Sequence, residues 1–550
     1  MKRLIKMGIA LLLLPIFPAP AFFPATAEAA GGGPIKIIVT TDIHGYLAYD
    51  PENRRPGLAR LKAYADRLAA DGYLTFLLDC GDAVSGGAYA QADRGRLAAD
   101  LMGLAGYRAL TPGNHEFDHN EAEKNFLYYS EELLPLMRRH SPGRPEATAV
   151  NLSYNGRDLP GVTRAPIIIY DETAENPDGL RLIAAGVAHP YTARPTLAPS
   201  IPGYDFGLKA DGGATREFLL AQLDSALSAY GRDNDVVIVL SHLGFPDDRN
   251  GDQVAGPDLA AAENVDFIAD GHSHRAVAPR RIGAAVYGNG GRYLENFLEI
   301  SIEKDQRRME LKGFSDLAPI PPDPGLEERL AQFELAHGFN EVLLNLGDDV
   351  FSDRNPNRGP SPLGRLITRS MAAASGADLA FHNSTTIRAG LPRGPVTTRL
   401  MYDVLPFANA LLTYRLTGRE IEALFQTYLA DGPGRVQFHG VQVRAYPKPG
   451  GGLVPAEIRA DSGEALEPER VYSVAVNGFL SRGRGGFSFQ GRESRDHGDL
   501  TAAVIKQLKQ LAPGDLNGES LLGDNLIVME SGAEAGRPEK LSSPGAGSGR

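Results

Sequence analysis

Ile35-Lys36-Ile37-Ile38-Val39-Thr40-Thr41-Asp42-Ile43-His44 is a β-branched run that stops at an aspartate and a histidine in D-x-H spacing. Strands covered on both faces lose their polar alternation and read as near-continuous Val/Ile/Leu, so Ile35–Val39 reads as a buried strand and Thr41–His44 as the turn beyond it. The same grammar returns four times. Cys80-Gly81-Asp82 ends the apolar run Leu74–Cys80, and Gly113-Asn114-His115-Glu116-Phe117-Asp118 comes next. Ser241-His242 follows Val236–Leu240, and Asp270-Gly271-His272-Ser273-His274 follows Val265–Ala269. Sites in open α/β sheets form beyond the carboxyl ends of strands, so these turns can converge on one crevice.

Between the turns, Leu58–Ala70 reads as an amphipathic helix and Arg94–Gly103 as helical, with further strands near Gly161–Tyr170 and Leu180–Gly186. Such alternation predicts an α/β layered domain. Near Ala284–Tyr287 and Leu294–Ile302 the pattern becomes more purely strand-like, as if closing a second sheet. Prolines cluster around Asp316–Gly325, and a polar helix over Leu326–His337 reads as a connector. A second α/β segment follows, with helices at Gly364–Ala374 and Gly418–Tyr428 and strands at Val441–Tyr446 and Val471–Val476. At 550 residues the chain exceeds one ordinary core. The division expected is 30–322, a connector over 323–344, and 345–530, with a Gly/Ser/Pro-rich, disordered tail over 531–550.

Residues 1–29 read as a leader. Lys2, Arg3 and Lys6 precede an apolar run from Met7 to about Phe23, and Ala25-Thr26-Ala27-Glu28-Ala29 offers A-x-A cleavage sites. A twin-arginine pair is missing, as is a lipoprotein cysteine, so the expectation is a cleaved Sec-type signal and a periplasmic or secreted protein. A non-cleaved anchor is the alternative, and no later segment is long and apolar enough to span a membrane. The leader carries three positive charges and one negative, so its removal takes the net charge from −12 to −14. That excludes nucleic-acid polymers and anionic membranes as partners, and any attraction for an anionic substrate must be local. The lone Cys80 rules out an internal disulfide and reads as a small buried residue.

Asp42, His44, Asp82, Asn114, His242, His272 and His274 offer oxygen and imidazole donors without a thiolate. That donor set suits divalent zinc, manganese, iron or a similar metal. Seven donors suffice for two ions if one carboxylate bridges, and Asp82, next to a glycine, is the natural bridge. Two ions about 3.5–4 Å apart polarise a phosphoryl oxygen and share a hydroxide nucleophile. A single D-x-H or H-x-H says little. Here five of the chain's 12 histidines fall in these segments, and their co-occurrence carries the reading.

In order and type the segments resemble the calcineurin-type metallophosphoesterase signature, D-x-H, G-D, G-N-H-E, H, G-H-x-H. With the C-terminal half, the chain from about Ile35 to about Gln490 resembles the bacterial periplasmic 5′-nucleotidase / UDP-sugar hydrolase family. The resemblance implies an N-terminal αββα metallophosphoesterase sandwich, a connector helix that acts as a hinge, and a C-terminal α/β substrate-binding domain. It implies that Asp42, His44, Asp82 and His274 hold one metal, and Asp82, Asn114, His242 and His272 the other. Some relatives have glutamine where His274 stands. His115 and Asp118 match the family's catalytic dyad, although Asp118 read alone is a turn-capping residue.

Arg354, Arg358 and Arg388 read singly as surface charge; the resemblance makes them the phosphate-binding arginines, whose planar forks match phosphate oxygens. Asn383 matches the asparagine of N-G-G-x-I-R. Phe407, in the segment that ends at Asn409, and Phe479 read alone as core, but match the two aromatics that sandwich a nucleobase; Asn409 joins the substrate-binding set. Two departures stand out: Ser384 and Thr385 replace the glycines of N-G-G-x-I-R, and Gly483-Arg484-Gly485-Gly486-Phe487 lacks the aspartate of G-G-D-G-[YF]. The implied activity is hydrolysis of nucleoside 5′-monophosphates or related nucleotides. The alternatives are a cyclic nucleotide, a UDP-sugar, a sugar phosphate or a sulfur ester at the same metals, or a nucleotide-binding protein without catalysis.

Overall fold

The computed structural model describes residues 33–120, 125–141, 143–173, 176, 179–190, 201–207, 216–231, 234–246, 254–303, 306–350, 360–430, 435–448, 452–483, 486–510 and 526–528. The expected signal peptide and tail lie outside these residues, as do Arg354, Arg358, Arg484 and Gly485.

Two sheets lie face to face in the N-terminal half. The first has seven strands in the order Gln306–Gly313, Asn296–Glu303, Ile35–Thr40, Leu74–Asp79, Tyr107–Leu110, Glu146–Thr148 and Val162–Thr163. The second has six, in the order Ala276–Ile282, Ala285–Gly290, Phe267–Asp270, Asp235–Ser241, Arg181–Val187 and Ile167–Asp171. Successive side chains of a strand point to opposite faces, and the apolar runs are continuous because both faces are covered. Ile37 and Val39 pack between the sheets with Leu78, Leu182, Ile238 and Leu240, whereas Ile38 faces Leu61 and Leu101 on the helices Leu58–Ala70 and Arg96–Ala105. Val237 and Val239 of the second sheet meet Leu219 and Leu223 of the helix Arg216–Leu227. The layers are therefore αββα. Cys80 is sealed between the sheets, its thiol donating to the Ala269 carbonyl at 3.2 Å.

Three local readings change. The run read as one strand over 161–170 is two strands in different sheets, Val162–Thr163 and Ile167–Asp171; Pro166 between them has no N–H to continue a ladder. The pair expected to close the second sheet is also divided. Ala285–Gly290 stays there, but Asn296–Glu303 crosses to the first sheet and runs antiparallel to Ile35–Thr40. The crossing turn holds Tyr293 and Leu294 at φ 57° and 59°. The helix expected over Arg94–Gly103 starts at Arg96, after Gly95 at φ 84°.

The C-terminal half is built on a five-stranded sheet ordered Val436–His439, Leu379–Asn383, Val471–Asn477, Ala410–Thr417 and Ser494–Asp499. Helices Pro362–Ser375 and Leu500–Leu508 cover one face, and Gly418–Ala430 covers the other. The connector helix, Pro324–Ala336, opens with Asp323 accepting from the Leu326 N–H at 2.8 Å and with a proline in its first turn. It is not free. Leu326 and Leu330 are buried in the N-terminal core, Arg329 pairs with Asp100, and Glu334 accepts from the Tyr89 hydroxyl. The two halves meet where the Ala88 N–H donates to Asp403 at 3.3 Å and Arg399 lies 5.2 Å over the Tyr89 ring. Among the described residues no helix is long and apolar enough to cross a membrane.

The sheets pack tightly at Gly186, where a Cβ would stand 1.8 Å from the Thr148 carbonyl oxygen. Gly186→Ala is expected to lower stability by about 1–3 kcal/mol through overpacking. An unchanged urea midpoint would contradict that contact.

Candidate metal centre

Each expected ligand stands just past the carboxyl end of a strand. Asp42 and His44 follow Ile35–Thr40, Asp82 follows Leu74–Asp79, and Asn114 follows Tyr107–Leu110. From the facing sheet, His242 follows Asp235–Ser241, and His272 and His274 follow Phe267–Asp270. The site is thus the common rim of two sheets. Holding the side chains inward costs backbone freedom: Asp42, His44, Asp82, His272 and His274 have φ between 48° and 66°, a region where L residues are strained. Glycines make room at the floor. A Cβ on Gly113 would stand 2.2 Å from Asp82 Oδ1, and one on Gly271 would stand 2.8 Å from Asp42 Oδ2.

Two groups of donor atoms form, with Asp82 common to both: Asp42, His44, Asp82 and His274, and then Asp82, His242 and His272. In the first, His44 Nε2 lies 3.0 Å from His274 Nε2 and 3.6 Å from Asp82 Oδ2, and His274 Nε2 lies 3.3 Å from Asp42 Oδ1. In the second, His242 Nε2 lies 3.0 Å from Asp82 Oδ2, and Asn114 Oδ1 joins at 2.9 Å from His272 Nδ1.

The outward nitrogens show what the inner ones are for. His44 Nδ1 bonds the Ser85 carbonyl at 2.8 Å, and His242 Nδ1 bonds the Cys80 carbonyl at 2.6 Å. A carbonyl only accepts, so Nδ1 carries the proton of each neutral ring and Nε2 turns a lone pair inward. His242 Nε2 is buried and faces only the Asp82 carboxylate, at 3.0 Å and without hydrogen-bond geometry. Lone pairs and carboxylate oxygens facing one another repel unless cations sit between them, so the residues fit two metal ions. Electrostatics calls for positive charge at the same place, and without a cation a proton on His242 would have to supply it. Burial pushes His242 down, but the Asp82 and Asp42 carboxylates outweigh it and raise the imidazole to about 10. Burial likewise opposes the charge on Asp82, yet His242 and His115 hold it well below the usual carboxylate range.

The neighbours that build this floor were not assigned from sequence. Glu116 is buried and accepts three backbone N–H groups, from Asp82 and Ala83 at 2.8 Å and Gly113 at 2.7 Å, tying two ligand turns together. Asp270 does the same for the His242 turn, accepting from Gly244 at 3.1 Å and from the Tyr287 hydroxyl at 2.8 Å. His189 packs on the His272 ring with centroids 3.9 Å apart. Asp270 and Glu116 sit inside the quoted motifs, but only their distant partners reveal their work.

His115 lies beside the ligands, its ring 5.2 Å from that of His44 and partly open to solvent. Its Nδ1 is 2.7 Å from Asp118, which also accepts from the Ser85 hydroxyl at 2.9 Å. Burial disfavours the imidazolium, and the Asp118 and Asp82 charges overcome it, raising His115 to about 9. In the C-terminal half, Arg388 lies 5.2 Å over the Phe407 ring and lines a cavity that reaches His274. Phe479 is half-buried against the core of the five-stranded sheet. Asn409 is nearly buried, its carbonyl accepting from the Leu500 N–H at 2.9 Å. The Asn383 side chain bonds inward: Nδ2 donates to Thr385 at 2.6 Å, and Oδ1 accepts from Asn477 at 2.6 Å.

The calcineurin-like phosphoesterase family matches residues 35–178, and the 5′-nucleotidase C-terminal domain matches residues 340–492. The chain thus carries a calcineurin-like phosphoesterase segment followed by a 5′-nucleotidase C-terminal segment. A trifunctional nucleotide phosphoesterase, YfkN of Bacillus subtilis, is 24% identical over 87% of this chain; the match spans 34% of that relative's own length. A probable 5′-nucleotidase of Treponema pallidum is 23% identical over 84% of this chain and 88% of the relative. The crystal structure of a 5′-nucleotidase precursor from Thermus thermophilus shares the fold, with a TM-score of 0.62, 22% identity, and coverage of 90% of this chain and 99% of that one.

Glu116→Ala would strand three buried N–H groups, each costing about 1–3 kcal/mol. A variant that melts lower and retains less metal by elemental analysis is expected. Wild-type metal content and melting would show that Glu116 does not hold the ligand turns.

Proposed function

We propose that this chain is an exported, two-metal phosphohydrolase of the 5′-nucleotidase type that releases phosphate from nucleoside 5′-monophosphates or related nucleotides. The observation that carries the reading is one carboxylate, Asp82, common to two inward-facing donor groups, with the His115–Asp118 pair alongside. Export rests on the leader-like residues 1–29. The division expected from the sequence places the metal centre in 30–322 and substrate binding in 345–530.

Asp42, His44, Asp82 and His274 would hold one divalent ion, and Asp82, Asn114, His242 and His272 the other. Bound there, two such ions supply an activated water and polarise a phosphoryl oxygen. His115, kept protonated by Asp118, donates to a phosphoryl oxygen or to the departing alcohol, and Asp118 with Ser85 fixes the ring's tautomer. Arg354, Arg358 and Arg388 would grip the phosphate, Phe407 and Phe479 would stack on the base, and Asn383 and Asn409 would shape that end of the cleft. A second reading keeps the site and changes the alcohol. The missing aspartate at Gly485 would weaken ribose recognition by about 1.5–3 kcal/mol, and with Ser384 and Thr385 in place of glycines this favours a sugar phosphate, a cyclic phosphodiester or a sulfur ester.

Phosphate release from nucleoside monophosphates with manganese, its loss with chelator and its return with added metal form the expected pattern. Failure to cleave any phosphoester after metal is restored would refute the proposal. Because the protonated His115 is the working form, activity is present below its pKa and lost above it. Asp118→Asn removes a carboxylate that raises this pKa, so the alkaline limb of kcat is expected to move to lower pH. An unmoved limb excludes His115 as the proton donor.

A further inference from the structure

Beside the metal centre, a cavity of about 900 Å³ lies between the two halves, lined by His274, Tyr293, Tyr46, Arg55, Arg292 and Arg388 among others. That volume is at the upper end for small-molecule sites and far exceeds what one phosphate fills. Tyr293 forms the wall shared with the metal centre, its ring 5.5 Å from His274 and 5.8 Å from His44. Arg55 lies 4.1 Å over Tyr46 and 5.2 Å over Tyr293, and Arg292 lies 4.8 Å over Tyr293 from a different loop. Arg388 reaches the same cavity from the C-terminal half. Stacking on tyrosine holds each guanidinium in place; Arg292 Nε also faces Glu295 at 3.7 Å, and the remaining N–H groups can bond a planar or tetrahedral anion.

Three carboxylates also line the cavity, and each is turned to other work or to the rim. Asp50 accepts from Asn53 at 2.8 Å and 3.1 Å and pairs with Arg55 Nη1 at 3.5 Å. Asp403 accepts from the Ala88 N–H, and burial pushes it above the usual carboxylate range. Glu52 is exposed. Arg55 Nε, by contrast, is a buried donor with no hydrogen-bond partner.

We propose that this corner of the cleft is a second anion pocket, which takes a phosphate carried on the leaving alcohol, so that bisphosphates are preferred over monophosphates. The proposal rests on the phosphohydrolase reading. Water adds its oxygen to the phosphorus at the metal centre, the phosphorus–oxygen ester bond breaks, and the alcohol oxygen takes the proton. The second phosphate leaves intact with that alcohol. Arg55 and Arg292 would neutralise it, leaving Arg388 to the phosphate being cleaved; neither the Phe407 nor the Phe479 ring lines this cavity.

The test compares kcat/KM on manganese-loaded full-length protein for a nucleoside 3′,5′-bisphosphate against the 5′-monophosphate, and a hexose bisphosphate against a hexose monophosphate. The wild type is expected to prefer each bisphosphate by about tenfold, the worth of one charge-assisted contact. In Arg292→Gln, at an exposed position, and in Arg55→Gln, each ratio is expected to fall toward one. Circular dichroism checks that Arg55→Gln is folded; Arg292→Gln decides the matter if it is not. Monophosphate hydrolysis with no bisphosphate preference, or a preference that Arg292→Gln leaves intact, overturns the pocket alone. No hydrolysis of any ester overturns the phosphohydrolase reading and the pocket with it.

Discussion

Asp82 is a carboxylate sealed inside the protein. It is buried to 1% exposure, with imidazoles closing from two directions and a second buried carboxylate, Asp42, nearby. An ionised carboxylate in such a place is tolerable only with positive charge beside it, because burial otherwise drives it neutral. Two sheets packed face to face close on it from opposite sides, one holding His44 and the other His242 and His274, a cage whose missing charge bound cations would supply. The strained ligand turns, the glycine floor and the Glu116 and Asp270 tethers can all be understood as the means of keeping those groups at contact distance.

Much of this arrangement was legible in the sequence, for a local reason. A buried strand that ends in a metal-binding side chain shows as an apolar run followed by Asp, His or Asn, and both halves of that pattern lie within ten residues. What escaped was whatever depends on distant partners. Glu116 looks like one more polar residue of its motif until the N–H groups of Asp82 and Ala83 are found against it, more than 30 positions earlier. The strand exchange at Pro166 and the crossing at Tyr293 were missed because an apolar run says that a strand is buried, not which sheet it joins.

The C-terminal half was harder to read at its working end. Its sheet and helices follow from periodicity, but Asn383 spends its amide inside the chain, on Thr385 and Asn477, a choice fixed by neighbours 94 positions apart. With Ser384 bonded to Gln437 at 2.6 Å, the loop that departs from the family's glycines is cross-linked by its own hydroxyls and amides. A loop stiffened in this way keeps one shape.

The connector helix carries one last consequence. Its buried leucines and its ties to Asp100 and Tyr89 make it part of the N-terminal body rather than a pliable strap. Any swing of the C-terminal half would therefore fall to the short stretch between Phe339, buried in that same core, and Val342. In mechanical terms the helix is the stator and that short stretch the bearing, so cleft geometry should be governed there rather than along the helix.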